Sequence, residues 1–204
     1  MNTMNNHNLS NTRATKRLII LNSARLVFAQ KGFLAVTMQD IIQASKISRG
    51  GLYLYFHSVD ELFIATISER SNRQFDDIRA EIKQNPNFNV LLNSYLAEHK
   101  KRLLTNVKNG TSLLRAMYEY SFTHDSPKDR QLKKKQMNAT KATVRSILEL
   151  GVQQQAINMP NVKAIADNFM LIIEGMSVLA LAAELKPEQI DDQFKLFKDQ
   201  LAKN

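Results

Sequence analysis

Apolar residues recur along this chain at intervals of three and four, the period of helices packed on one face. Between Arg13 and Lys31, Ile20, Ala24, Val27 and Phe28 fall at i, i+4, i+7 and i+8, one stripe of an amphipathic helix that Gly32 is placed to stop. Thr37 then precedes Asp40 by three residues, a capping box that opens a short second helix through Ala44. After the tight connection "SKI", Ser48 is an N-cap for a third helix to Phe56, with Leu52 and Phe56 facing inward at i, i+4. A second box, Ser58 with Glu61, opens a long helix to about Lys83 that "NPN" ends. Beyond it the pattern predicts helices over about Phe88–Val107 and Thr111–Phe122. Three more follow, one between "DSPKD" and Gln155, one after Pro160 and one from Pro187. No strand-like alternation of useful length, heptad run or internal repeat is present. The expected fold is all-α, a helix-turn-helix followed by a larger helical bundle. The polar first dozen residues, "MNTMNNHNLSNT", are expected to form a disordered arm.

Composition sharpens this picture without changing it. Of 204 residues, 44% are hydrophobic, enough for a sizeable core, while glycine (6) and proline (4) are scarce. The absence of cysteine excludes disulfides and thiolate metal sites. The most apolar stretch, Phe169 to Leu185, is interrupted by Glu174 and falls short of the ~20 apolar residues of a spanning helix. A soluble, cytoplasmic chain with no membrane partner is expected. The formal charge is +9, and its placement matters more than its size. Residues 1–57 hold seven basic residues (Arg13, Lys16, Arg17, Arg25, Lys31, Lys46 and Arg49) against one acid, Asp40, whereas the rest is nearly balanced. A basic segment of this kind suits a polyanion. The cluster "KDRQLKKK" farther on reads as a solvated helix face.

The stretch "SRGGLYLYFHS" sets two glycines in the first turn of the third helix, where each costs roughly 1 kcal/mol relative to alanine. Bare backbone there lets the helix end press against phosphate or base edges. In a DNA-reading helix-turn-helix, Lys46, Ser48 and Arg49 lie at the leading end, and Arg49 can fork to guanine O6 and N7. Gly50 and Gly51 follow, and Tyr53, Tyr55 and His57 are polar-tipped aromatics suited to phosphate oxygens. Chemistry of other kinds lacks a constellation. There is no HExxH, no phosphate-cradling glycine loop and no nucleophile beside a base, and His7, His57, His99 and His124 are scattered. The chain is expected not to be an enzyme and to need no cofactor or metal.

Thr37 to Phe63, "TMQDIIQASKISRGGLYLYFHSVDELF", resembles the DNA-binding signature of the TetR (tetracycline repressor-like) family of bacterial transcriptional regulators. The resemblance rests on Thr37, Ile41 with Ala44, Ile47-Ser48, Gly50, the Leu52-Tyr53-x-Tyr55-Phe56 run, Ser58 and Glu61-Leu62, and covers about a quarter of the chain. Departures are Ile42, Ser45 and Lys46, where the family usually has Ala, Ala and Gly, Gly51 in place of a common Thr, and Val59 in place of a usual Lys. The phosphate contact of that lysine is not carried over, and Lys46 and His57 are the candidates to replace it.

The resemblance implies a DNA-binding domain at 1–57, with Thr37, Lys46, Ser48, Arg49, Gly50, Gly51, Tyr53, Tyr55 and His57 at the DNA. It also implies an effector-binding and dimerisation domain at 58–204. On the expected inward faces of that domain, Tyr95, His99, Met117, Tyr118, Phe122 and Phe169 are the candidate ligand contacts. "ADNFMLIIEGMSVLALAAEL", apolar on nearly every side, should be covered by its own domain and by a partner subunit. The implied partners are a palindromic double-stranded operator, a small-molecule effector and a second copy of the chain, with repression the family's usual mode. The alternative is an architectural or membrane-surface protein that uses its basic face without reading sequence.

Overall fold

The computed structural model describes residues 3–109 and 113–202, with side chains over 12–105 and 113–201. Among them every regular element is a helix: α1 (Thr3–Lys31), α2 (Met38–Ser45), α3 (Arg49–Tyr53), α4 (Val59–Lys83), α5 (Phe88–Asn109), α6 (Leu113–Thr123), α7 (Pro127–Gln153), α8 (Val162–Leu181) and α9 (Pro187–Ala202). The all-α expectation holds. Thr111, expected to open α6, lies outside the described residues.

The helices divide into two packed units. Among the described residues, the first comprises 3–70 together with α6, and the second comprises 71–109 and 124–202. In the first, the α1 stripe Ile20, Ala24, Val27 and Phe28 is buried as its spacing predicts, and Leu21 beside it is buried too. α1 packs on α6, whose Leu113, Ala116 and Tyr120 are buried, and Phe28 meets Phe63 from the start of α4, where Leu62 and Ile67 are buried as well. Four rings form the centre, with Phe63 4.9 Å from Phe28, 5.0 Å from Phe33 and 5.2 Å from Tyr120. Each such ring contributes roughly 1.5–3 kcal/mol by burial.

Two boundaries differ from the sequence reading. α1 begins at Thr3, inside the segment expected as a disordered arm. No proline or glycine interrupts residues 3–12, and extending a helix already nucleated downstream costs little per residue. α3 stops at Tyr53 rather than Phe56: the Leu54 N–H donates to Gly50 O, and the Tyr55 N–H turns to Leu52 O, tightening the last turn.

The second unit is built on α5, α7, α8 and α9 with the end of α4. Phe169 of α8 is its hub, 4.6 Å from Phe197 and 6.2 Å from Tyr95. Gly151 lies so close to Phe88 that an added Cβ would stand 2.7 Å from the ring, which locks α7 against the start of α5. Measured from Val162, α8 is a 20-residue helix long and apolar enough to cross a membrane by length and composition, which the stretch from Phe169 had not suggested. In this fold it is a packed helix, with Ala166, Phe169, Met170, Ile173, Met176 and Ala180 buried and a second apolar face left outside.

Candidate nucleic-acid interface and cavity

α2 and α3 are positioned by their caps. Thr37 Oγ1 accepts from the Asp40 N–H at 3.3 Å and Asp40 accepts in return from the Thr37 N–H at 2.8 Å, the reciprocal box its spacing predicts. Asp40 also pairs with Lys31. The hydrogen bond from that ammonium, then the one from the Thr37 N–H, holds its carboxyl below the usual carboxylate range. The box therefore ties α2 to the end of α1. α2 ends at Lys46, whose φ of 56° makes the left-handed turn between the two helices. A lysine pays strain there that the family's usual glycine avoids.

Ser48 caps α3, its Oγ accepting from the Gly51 N–H at 3.2 Å. That amide is thus occupied by the cap and is not offered to phosphate. The two glycines differ in surroundings. A Cβ at Gly51 would come within 2.9 Å of Ile47 Cγ2 and 3.1 Å of Ser48 Oγ, whereas one at Gly50 meets nothing within 4 Å. Gly51 is required by packing, and Gly50 leaves an open patch of backbone on the outer face. Beside it Arg49 is exposed, its guanidinium 5.8 Å from the Tyr53 ring centroid, a contact that steadies the long side chain. Lys46, Ser48, Arg49, Gly50 and His57 are exposed, Tyr53 and Tyr55 half-buried, and Leu52 and Phe56 beneath them buried.

The expected second capping box is shifted by one residue. Ser58 Oγ accepts from the Glu61 N–H at 3.1 Å, but the Glu61 carboxylate accepts from the N–H of His57 at 2.7 Å. The loop after α3 is thereby fixed, and the imidazole stays outside. Two residues of this surface escape a reading of the motif alone. Leu54 is 74% exposed between the two tyrosines, and Arg17 of α1 stands 5.6 Å over the ring of Phe56.

A third anchor comes from far along the chain. Glu119 of α6 accepts from the backbone N–H groups of Phe33 (2.6 Å) and Leu34 (3.1 Å), and Arg115 donates to it at 2.7 Å. Gly32, with φ of +77°, passes so close that an added Cβ would overlap the carboxylate. Partial burial opposes the charge. The hydrogen bonds from Leu34, Arg115 and Phe33 outweigh it, and the carboxyl is held below its ordinary range.

The second unit holds a cavity of about 60 Å³. α4 supplies Ser71, Gln74 and Phe75, and α5 supplies Tyr95, His99 and Arg102. α7 closes it with Gln136, Ala139, Thr140 and Thr143. Of the six candidate ligand contacts, Tyr95 and His99 line it, their rings 4.6 Å apart, and Phe169 stands behind them, 6.0 Å from His99. Met117, Tyr118 and Phe122 belong to α6 in the first unit and are not among its lining residues, and Phe122 is 81% exposed. Arg102 and Gln136 were missed, although positions 95, 99 and 102 share one face of α5 by spacing alone. Among the described residues no three His, Asp or Glu side chains converge as a metal site.

Residues 20–66 match the family model described as bacterial regulatory proteins, tetR family. The chain is 52% identical over 44 residues to the uncharacterized HTH-type transcriptional regulator YfiR of Bacillus subtilis (strain 168), 22% of this chain and 22% of that one. The match thus spans about a fifth of that relative's length. Similarity in structure extends much further. A TetR transcription regulator from Haloarcula marismortui superposes with a TM-score of 0.72 over 93% of this chain and 97% of that one, at 14% identity. The regulator FadR from Bacillus subtilis in complex with stearoyl-CoA gives 0.63 over 88% and 96%, at 16% identity. Residues 20–66 thus carry the DNA-binding signature of the TetR family, and over nearly its whole length the chain shares the fold of solved TetR-type regulators.

Proposed function

We propose that the protein is a homodimeric, ligand-responsive regulator, a cytoplasmic repressor and not an enzyme, that leaves a palindromic operator when a small molecule binds. Residues 1–57 read the DNA, and residues 58–204 hold the effector and the second subunit. The observation that carries this reading is the outer face of α3, where exposed Arg49 stands beside the open backbone of Gly50. Arg49 reads a guanine, and Lys46, Thr37, Ser48, Tyr53, Tyr55 and His57 hold phosphates around it. Gly51 serves the reading by keeping the start of α3 closed.

Dimerisation is supported by α8. Leu171 (71% exposed), Gly175, Val178 and Leu179 recur at i, i+4, i+7 and i+8, an apolar seam left exposed among the described residues, and Leu196 of α9 is likewise exposed. Gly175 has open space where a Cβ would stand, which permits close approach of a second helix. The effector acts by preferring a dimer whose recognition helices no longer match half-sites one helical turn apart.

Selection of duplexes from a randomised pool at near-physiological salt tests the reading. An enriched inverted repeat is expected, and Arg49→Ala should relax one symmetric pair of positions, a loss of about 1–3 kcal/mol of discrimination. Binding that selects no sequence and vanishes as salt rises would instead establish the architectural or membrane-surface alternative.

A further inference from the structure

The lining of the cavity in the second unit selects the charge of its occupant, an inference that rests on the ligand-responsive reading above. None of the ten lining residues is an aspartate or glutamate, and the one permanent charge among them is Arg102. The guanidinium donates its Nε–H to Glu98 at 3.2 Å, on the solvent side where Glu98 is half exposed, and one terminal N–H to Gln74 Oε1 at 3.0 Å. Two of its five N–H donors are used by these bonds, which leaves the fork able to take up an acceptor. Gln136, across the cavity on α7, has its side-chain amide nitrogen buried with no hydrogen-bond partner. A buried amide donor of this kind calls for an acceptor.

The remaining walls agree. Thr140 and Thr143 donate their hydroxyl protons to α7 carbonyls, Gln136 O and Ala139 O, so neither brings a charge to the site. Burial pushes the Tyr95 phenol well above its ordinary range, against the pull of the Arg102 charge, and keeps it a neutral hydroxyl donor. Phe75 and Tyr95 offer flat apolar surfaces. A cavity of about 60 Å³ holds about four waters, whose liquid volume of about 120 Å³ is that of a single-ring acid.

We infer that this cavity binds a small planar organic anion, its carboxylate held by Arg102 and Gln136 and its ring by Phe75 and Tyr95. A lipophilic cation would find no counter-charge, and a long acyl chain of the kind present in the FadR complex would find neither length nor an apolar channel.

Calorimetric titration of the full-length protein with benzoate, its neutral isostere benzamide, benzyltrimethylammonium and dodecanoate tests the inference. Benzoate should bind at least tenfold more tightly than benzamide, and the cation and the acyl chain should not bind. Arg102→Gln should weaken benzoate at least tenfold and benzamide far less, so that the preference between the two collapses. Gln136→Glu, which keeps the shape and adds a negative charge, should do the same, and melting curves of both variants establish that they fold. Equal binding of benzamide, tighter binding of the cation or the acyl chain, or no binding by any probe would overturn the inference. The same titrations with the selected operator duplex separate the two readings. Release by the cation or by dodecanoate would leave the regulator standing and remove the anion site. Benzoate binding as described, with no duplex selected or released, would keep the anion site and remove the regulatory reading.

Discussion

A methyl group added at Gly51 meets Ile47 and the capping hydroxyl of Ser48, while one added at Gly50 meets open space. Alanine at either position gains up to about 1 kcal/mol of helix propensity. At Gly51 that gain is opposed by a stiff β-branched neighbour that cannot rotate its Cγ2 away, so the net effect should be a loss of about 1 kcal/mol. Thermal melts should then show Gly51→Ala lowering the midpoint by about 2–4 °C and Gly50→Ala leaving it unchanged or raised. Operator binding should respond in the opposite order, with Gly50→Ala several-fold weaker because the methyl stands between backbone and DNA. Wild-type affinity in Gly50→Ala would show that this patch does not approach the duplex. The sequence alone marks both glycines as costly. Which of them serves packing depends on the rotamer of Ile47, and no spacing rule contains it.

At the scale of the helix, the caps were legible because their partners lie within a few residues: Thr37 with Asp40, and Ser48 before α3. The apolar stripe of α1 was legible for the same reason, as was Leu52 with Phe56. Glu119 was not, since its partners are backbone N–H groups 85 and 86 positions away, and only its i, i+4 relation to Arg115 leaves a trace in the sequence. Its effect on the fold is measurable. With a folded pKa below the unfolded one, Glu119 adds stability at pH values above the ordinary carboxylate range near 4.3, and that contribution is lost as pH falls through the folded pKa. Hydrogen bonds to a charged acceptor contribute about 1.5–3 kcal/mol, so Glu119→Gln should cost about 2 kcal/mol near neutral pH. The gap in melting midpoint between the two proteins should be several degrees at pH 7 and should narrow and close as pH falls through the lowered folded pKa. A gap that persists unchanged into acid would assign the loss to packing rather than to the charge.

For the molecule as a whole, the all-round apolarity of α8 already signalled that one chain would not bury it, and the fold shows which face is left. Phe169, Ile173, Met176 and Ala180 point into the bundle, while Leu171, Val178 and Leu179 remain outside. Cavity residues such as Arg102 and Gln136 stayed hidden because both read as ordinary polar positions on long helices until α5 and α7 are set side by side. A seam of leucine and valine flanking a glycine resembles the core of an interface more than its rim. Placing a carboxylate in it should therefore act on association alone. Leu171→Glu sits on an exposed position, so the monomer loses no buried contact, yet two copies would bring two charges into an apolar, water-excluded seam. Light scattering after gel filtration should give the dimer mass for the wild type and half of it for Leu171→Glu, with the helical signal unchanged. Operator affinity should fall by orders of magnitude although α3 is intact, because one half-site's contacts no longer supply the effective concentration for the other. A Leu171→Glu protein that remains dimeric and binds the operator normally would move the interface off α8, and Leu196→Glu on α9 would then show whether the last helix carries it instead.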